Sequence, residues 1–245
     1  MKGNTRVDNK KYGLADNSTV WCATHPVLRH KLTKLRDERT DGRLFRHLLR
    51  EVTYYLGYDA SDDLETIPKD IKTPMGDHQG AELSTTVALV PILRAGLGMV
   101  EPMLDVLPNA SVHHIEYCAQ VCTEISNRSY QCSITISFQR SVTWMLRSFS
   151  SPSSLQATGT IIATLAVLKT WGVKKIKIVS AIASMQGLQE VCAENPGVEI
   201  FLAAIDDGLS EDGYILPGLG DAGDREFQTG AQAEKVEIAY KKQKL

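Results

Sequence analysis

Residues 174–206 read KKIKIVSAIASMQGLQEVCAENPGVEIFLAAID. The opening, KKIKIVSAIAS, is rich in Ile, Val and Ala, as a covered strand requires. MQGLQEVCAENPG, residues 185–197, continues as a helix closed by Asn195, Pro196 and Gly197, residue types that stop helices. EIFLAAID, residues 199–206, is a second apolar strand ending in an acid. Strand, helix and strand in this order form a parallel crossover unit. The class is α/β, with a mainly parallel sheet flanked by helices.

The same alternation extends toward the N-terminus. HPVLRHKLTKLRDE and RLFRHLLREVTYYLGYDA place apolar residues three and four apart, the spacing of amphipathic helices. TVALVPIL is a β-branched and aliphatic strand running into RAGLG, residues 94–98. MVEPMLDVL reads as a short helix, SVHHIE as the next strand, and IIATLAVLKTWGV as a helix preceded by ATGT, residues 157–160. Ligands of open α/β sheets bind beyond the carboxyl ends of the strands. Three such ends carry glycine-rich or polar sequence: RAGLG, ATGT and the tail after Asp206.

The 245 residues, 43% hydrophobic and 23% charged, suffice for a full core. A net charge of −2 gives no electrostatic footprint for nucleic acid. MKGNTRVDNKKYG at the start lacks an apolar core, and no stretch approaches the ~20 apolar residues that span a bilayer. Neither nucleic acid nor membrane is an expected partner, and the cytoplasm is the expected compartment. The cysteine count is odd, and Cys118, Cys122 and Cys132 lack paired zinc-ligand spacing; the thiols read as unremarkable, with no metal-binding residues among them.

The tail segment DGYILPGLGDAGDREF, residues 212–227, holds Gly213, Gly218, Gly220 and Gly223 around Pro217. Backbone groups so exposed can line a small planar ligand at close range. Tyr214, Ile215 and Leu216 add the apolar bulk of a pocket. An ordinary glycine-rich surface loop is the alternative.

VPILRAGLGMVEPML, IDDGLSEDGYILPGLGDAGDREFQTG and HPVLRHKLTKLRDERTDGRLFRHLLREV together resemble the uracil phosphoribosyltransferase family, over residues 20–116 and 157–230. The resemblance implies the type I phosphoribosyltransferase fold, with a small hood over the base site. It implies conversion of uracil and phosphoribosyl pyrophosphate into UMP and pyrophosphate, a reaction of pyrimidine salvage. Carried over residue by residue, it puts Arg94 on the pyrophosphate and Tyr214, Ile215, Gly220 and Ala222 around the uracil, largely through main chain. Asp221 would lie between base and ribose as the catalytic acid residue, in contact with both substrates. Ala157, Thr158, Gly159 and Thr160 would face the 5′-phosphate with backbone N–H groups and a helix dipole; a plain Thr helix cap is the alternative. Mg²⁺ would arrive with phosphoribosyl pyrophosphate, and a homodimer or higher homo-oligomer is implied. The chemistry suits these residue types, since pyrophosphate departure leaves positive charge on the sugar and negative charge on the leaving group, where a cation and a metal belong.

The expected domain covers residues 20–230, between a polar arm at 1–19 and a polar tail at 231–245. Within it, residues 117–158 depart from the family. The strand after SVHHI should reach a glycine and a Tyr-Arg pair, and a later buried strand should end in an ATGGT-like turn. Instead YCAQVCTEISNRSYQCSITISFQRSVTWMLRSFSSPSSLQ, residues 117–156, shows neither strand nor helix period and is crowded with serine. The second pyrophosphate arginine has no counterpart, and Ser151 or nothing replaces the acid for the ribose hydroxyls. Read one frame over with free choice of synonymous codons, Gln120–Ile125 permits G-M-Y-R-N. Asn127–Gln139 permits S-L-L-P-V-Q-Y-Y-N-K-L-P, and Val142–Thr158 permits D-M-D-V-A-F-V-L-E-P-V-I-A-T-G-N. These are the missing segments in their order, so residues 117–158 read as translated out of frame, which the coding DNA checks; a genuine variable insertion is the alternative. Two expectations follow: a gap or badly fitted strand before Ala157, and an open choice between the enzyme and a catalytically silent relative that keeps the base pocket, binding uracil or nucleotide or forming oligomers.

Overall fold

The computed structural model describes residues 4–115, 142–147, 154–211 and 213–229. The chain begins with β1 (Asn4–Arg6), β2 (Thr19–Ala23), α1 (Pro26–Arg36) and α2 (Gly42–Ala60). A hairpin of β3 (Thr66–Thr73) and β4 (Gly76–Leu83) leads to β5 (Val87–Pro91). A 3-10 turn at Leu97–Met99, α3 (Val100–Val106) and β6 (Ser111–Val112) come next. The second half runs β7 (Val142–Arg147), α4 (Ser154–Thr170), β8 (Lys175–Ser184), α5 (Met185–Glu194) and β9 (Glu199–Asp206). It ends with β10 (Gly208–Leu209), β11 (Ile215–Leu216) and α6 (Ala222–Phe227).

One sheet takes the order β1-β2-β9-β8-β7-β5-β6. Its pairings are parallel except at the edge, where β1 runs antiparallel to β2. The segment at 174–206 folds as its sequence indicates. Every residue of β8 after Lys175 is buried, because sheet neighbours and helices cover both faces. Ser184 ends β8 and caps α5, its Oγ accepting from Gly187 N at 3.1 Å. Helix α2 starts at Asp41, whose Oδ1 accepts from Leu44 N at 2.8 Å. It buries Phe45, Leu48, Leu49, Val52 and Leu56, each contributing about 1.5–3 kcal/mol. Lys177, buried inside β8, donates to the Ala60 carbonyl at the end of α2 at 2.6 Å and pairs with Asp63. The amine thus fixes α2 across the sheet without standing as an uncompensated charge.

Five features differ from expectation or add to it. The gap foreseen before Ala157 is filled by β7, whose backbone register runs from Val87↔Val142 to Pro91↔Leu146 on one side. On the other side it runs from Val142↔Lys175 to Arg147↔Ser180. A ladder is made by main-chain groups that almost any residue supplies, and VTWMLR contains no proline; the strand therefore forms upstream of the serine-rich run. The irregularity expected elsewhere in the segment falls at 116–141 and 148–153, outside the described residues, as do Cys118, Cys122, Cys132 and the tail at 231–245. Helix α4 begins at Ser154, so ATGT lies within the helix instead of ahead of it. Leu, Gln and Ala tolerate helix well, which lets it extend backward. The strand read in SVHHIE contracts to Ser111–Val112. The arm at 1–19 carries β1 and brings Leu14 into the core, and the hairpin of β3 and β4, nearly all exposed, carries no core pattern.

Candidate active site

The parallel strands deliver their carboxyl ends to one edge, where RAGLG follows β5, α4 follows β7 and the glycine-rich tail follows β9. The tail is held from below by Arg36. Its Nη1 and Nη2 donate to the two carboxylate oxygens of Asp206, both at 2.7 Å, and Nη1 also donates to the Gly218 carbonyl at 2.7 Å. Gly218 N donates back to Asp206 Oδ2 at 3.1 Å. Only glycine suits position 218, where φ is +61° and a Cβ would stand 2.0 Å from the Ile215 carbonyl oxygen. The Leu216–Pro217 peptide next to it is cis.

Tyr214 and Ile215 belong to a small hood in which β10 and β11 pair, Leu209 opposite Ile215. Ser210 closes it, its N donating to the Tyr214 carbonyl at 2.8 Å and its Oγ accepting from Tyr214 N at 3.0 Å. Gly220, at φ +75°, is exposed beside this hood, and Ala222 is buried at the start of α6. Asp221 caps α6, its Oδ1 accepting from Asp224 N at 2.9 Å. Arg225 ties α6 to the end of α1. It donates to the carbonyls of Leu35 and Leu219, both at 2.8 Å, and of Asp37 at 2.6 Å, with its guanidinium 4.5 Å above the Phe45 ring.

Arg94 follows a cis Leu93–Arg94 peptide and reaches the same helix. Its Nη2 donates to Asp224 Oδ1 at 3.0 Å and its Nη1 to Thr229 Oγ1 at 2.8 Å. A Cβ on Gly223 would lie 3.5 Å from Arg94 Cβ and 3.2 Å from Asp221 Oδ1. The leaving-group arginine and the base-side acid expected from sequence therefore both lie beside one glycine. Glu226, one turn along α6, packs against Gly98: it is buried, and a Cβ on Gly98 would lie 2.0 Å from its Oε1. Its Oε2 has no hydrogen-bond partner among the described residues. Burial pushes its carboxyl up to about 7, with Arg46 opposing.

ATGT is reached through β7, the neighbour of β5 and β8. Gly159 is exposed, and the Thr160 carbonyl accepts from Thr164 Oγ1 at 2.7 Å inside α4. Thus the structure joins Arg94, Asp221 and the hood, while ATGT keeps to the helix beyond β7. Sequence reasoning missed Arg36, Asp206, Arg225 and Glu226 as site-building residues. The acid ending EIFLAAID was a visible signal for Asp206; nothing in the amphipathic pattern of α1 singles out Arg36.

The model of the family described as uracil phosphoribosyltransferase matches residues 22–229. A uracil phosphoribosyltransferase of Roseiflexus sp. is 41% identical over 211 residues, covering 86% of this chain and 99% of that relative. Its counterpart in Dictyoglomus turgidum is 40% identical over 206 residues, 84% and 97% of the two chains. A solved protein structure from Aquifex aeolicus superposes with a TM-score of 0.71 at 29% identity, covering 86% of this chain and 99% of that one. The sheet, hood and flanking helices are those of a type I phosphoribosyltransferase, and the chain belongs to the uracil phosphoribosyltransferase family.

Proposed function

We propose that this protein transfers the phosphoribosyl group of phosphoribosyl pyrophosphate to uracil, giving UMP and pyrophosphate, in cytoplasmic pyrimidine salvage. The observation that carries the reading is the meeting of Arg94 and Asp221 at Gly223, beneath a glycine-rich hood, in a member of this family. In this reading Arg94 faces the departing pyrophosphate and balances the charge that develops there. The main chain of Ile215, Gly220 and Ala222, with Tyr214 beside it, aligns the uracil edge, and alignment carries much of the rate for so weak a nucleophile. Asp221 stands between base and ribose. The N-terminal turns of α4, including Ala157, Thr158, Gly159 and Thr160, serve the 5′-phosphate.

Mg²⁺ would enter with the substrate. The described residues contain no group of three or more metal-ligating side chains, and this donor set fits a cation held chiefly by pyrophosphate oxygens and water. That ion would supply further charge neutralisation on the leaving group. The protein also acts as a homodimer or higher homo-oligomer in this reading. Support comes from the hairpin of β3 and β4, exposed along nearly its whole length with Ile67 and Ile71 uncovered, because an isolated two-stranded hairpin is marginal in water.

The purified protein, given uracil, phosphoribosyl pyrophosphate and Mg²⁺, is expected to form UMP, and Asp221→Asn to weaken or abolish this without loss of fold. Base binding without UMP formation would instead identify a silent relative. Unchanged turnover in Asp221→Asn would remove that residue from the site.

A further inference from the structure

We propose that Asp224 and Thr229 are positioning residues that aim the Arg94 guanidinium at the leaving pyrophosphate; the inference rests on the functional reading above. The three side chains form a closed triangle. Arg94 Nη2 donates to Asp224 Oδ1 at 3.0 Å and Arg94 Nη1 to Thr229 Oγ1 at 2.8 Å, while Thr229 Oγ1 donates to Asp224 Oδ1 at 2.8 Å. A hydroxyl can accept from the arginine and donate to the carboxylate through one atom, which the isosteric valine cannot do.

Both holders are themselves fixed. Asp224 N donates to the capping Oδ1 of Asp221 at 2.9 Å, and Thr229 N donates to the Asp224 carbonyl at 3.2 Å. Gln228 between them takes the left-handed conformation that ends the helix, φ +58°. The Arg94 side chain stays 53% exposed, and among the described residues two of its N–H groups are engaged, which leaves the others to meet an anion. A planar guanidinium held in advance loses less freedom on binding phosphate oxygens than a free one. The triangle also connects the residue expected to touch the base, Asp221, with the residue expected to touch the leaving group.

The test is calorimetric titration of inorganic pyrophosphate with Mg²⁺ into the full-length protein, beside steady-state KM values for both substrates. Thr229→Val, which changes no charge, is expected to weaken pyrophosphate about fivefold and to raise KM for phosphoribosyl pyrophosphate but not for uracil. Thr229→Ser is expected to restore both. Asp224→Asn removes a negative charge beside an anion and on charge alone would tighten binding; loosening is expected here. In an Arg94→Ala background Thr229→Val should have no further effect, and Asp224→Asn should keep only the slight tightening that its lost charge gives. Pyrophosphate binding by Thr229→Val equal to the parent, tighter binding by Asp224→Asn, or absence of pyrophosphate binding in the parent would overturn the proposal. A protein that binds pyrophosphate in the expected pattern yet makes no UMP loses the functional reading and keeps this one. A protein that makes UMP with Thr229→Val indistinguishable from the parent does the reverse.

Discussion

The glycine-rich segment at 206–229 is held by two arginine–aspartate pairs of different construction. Arg36 and Asp206 meet through two bonds of 2.7 Å, with side chains only 20% and 6% exposed, and the same groups bind both the carbonyl and the amide of Gly218. Arg94 and Asp224 meet through one bond of 3.0 Å, with side chains 53% and 35% exposed. In the first pair nearly every strong hydrogen-bonding site is consumed by the protein, as a scaffold requires. In the second, donors are left over. Saturation marks the part of the site that must not move, and incomplete pairing suits the part that we propose meets substrate.

The sharpest way to break this comparison is Arg36→Ala. It strands the Asp206 carboxylate in a nearly buried position with Gly218 N as its remaining partner among the described residues, and removing one member of such a pair costs about 3–5 kcal/mol. The urea midpoint is expected to fall accordingly, and KM for uracil to rise because the Gly218 carbonyl loses its anchor. A loss below about 1 kcal/mol, the scale of exposed pairs, would mean that the bidentate pair is no scaffold.

What sequence made legible follows the same division. The β8–α5–β9 unit announces itself because burial imposes a hydrophobic period, and the tail because Gly218 answers a backbone demand no other residue meets. Arg36 was invisible for a physical reason: its task depends on Asp206, 170 positions away, and α1 shows the same periodicity with or without that bond. The hairpin of β3 and β4 buries almost nothing, so it imposes no period, and Pro68 inside β3 argues against a strand by itself. β7 was missed because its ladder uses main chain, while attention to side-chain types pointed at the serines downstream. The Roseiflexus relative matches this chain over 211 residues and nearly its own entire length. Residues 117–158 therefore occupy length that the family also fills, instead of adding to it, and we propose out-of-frame translation for that departure.

Glu226 gives a second, somewhat smaller test, because it is a buried acid in the junction whose Oε2 has no hydrogen-bond partner among the described residues. Burial raises it to about 7, against an ordinary value of 4.5. Between those values the folded protein holds a proton that the unfolded chain has lost. Stability therefore falls as pH rises from about 4.5 to about 7 and then levels off, by about 3 kcal/mol in all. Glu226→Gln removes the ionisation and keeps the shape. Thermal unfolding is expected to show the variant no more stable than the parent near pH 4 and more stable by up to about 3 kcal/mol above pH 7. Parallel pH profiles for the two proteins would show that the carboxyl is solvated and that α6 does not seal against Gly98.

Arg94→Ala should have the smallest effect on the fold, and that smallness is what sharpens the contrast with Arg36. Its ion pair is half exposed and singly bonded, a type worth about 0–1 kcal/mol; the urea midpoint should hardly move. Its loss should appear in binding instead. Charge-assisted bonds to an anion carry about 1.5–3 kcal/mol each, so the apparent affinity for phosphoribosyl pyrophosphate is expected to drop by about tenfold or more, with KM for uracil little changed. Equal losses for the two substrates would mean that Arg94 supports the hood and not the leaving group. A large fall in stability would place it with Arg36 among the scaffold residues, and the incomplete pairing at Asp224 and Thr229 would then no longer mark a substrate-facing group.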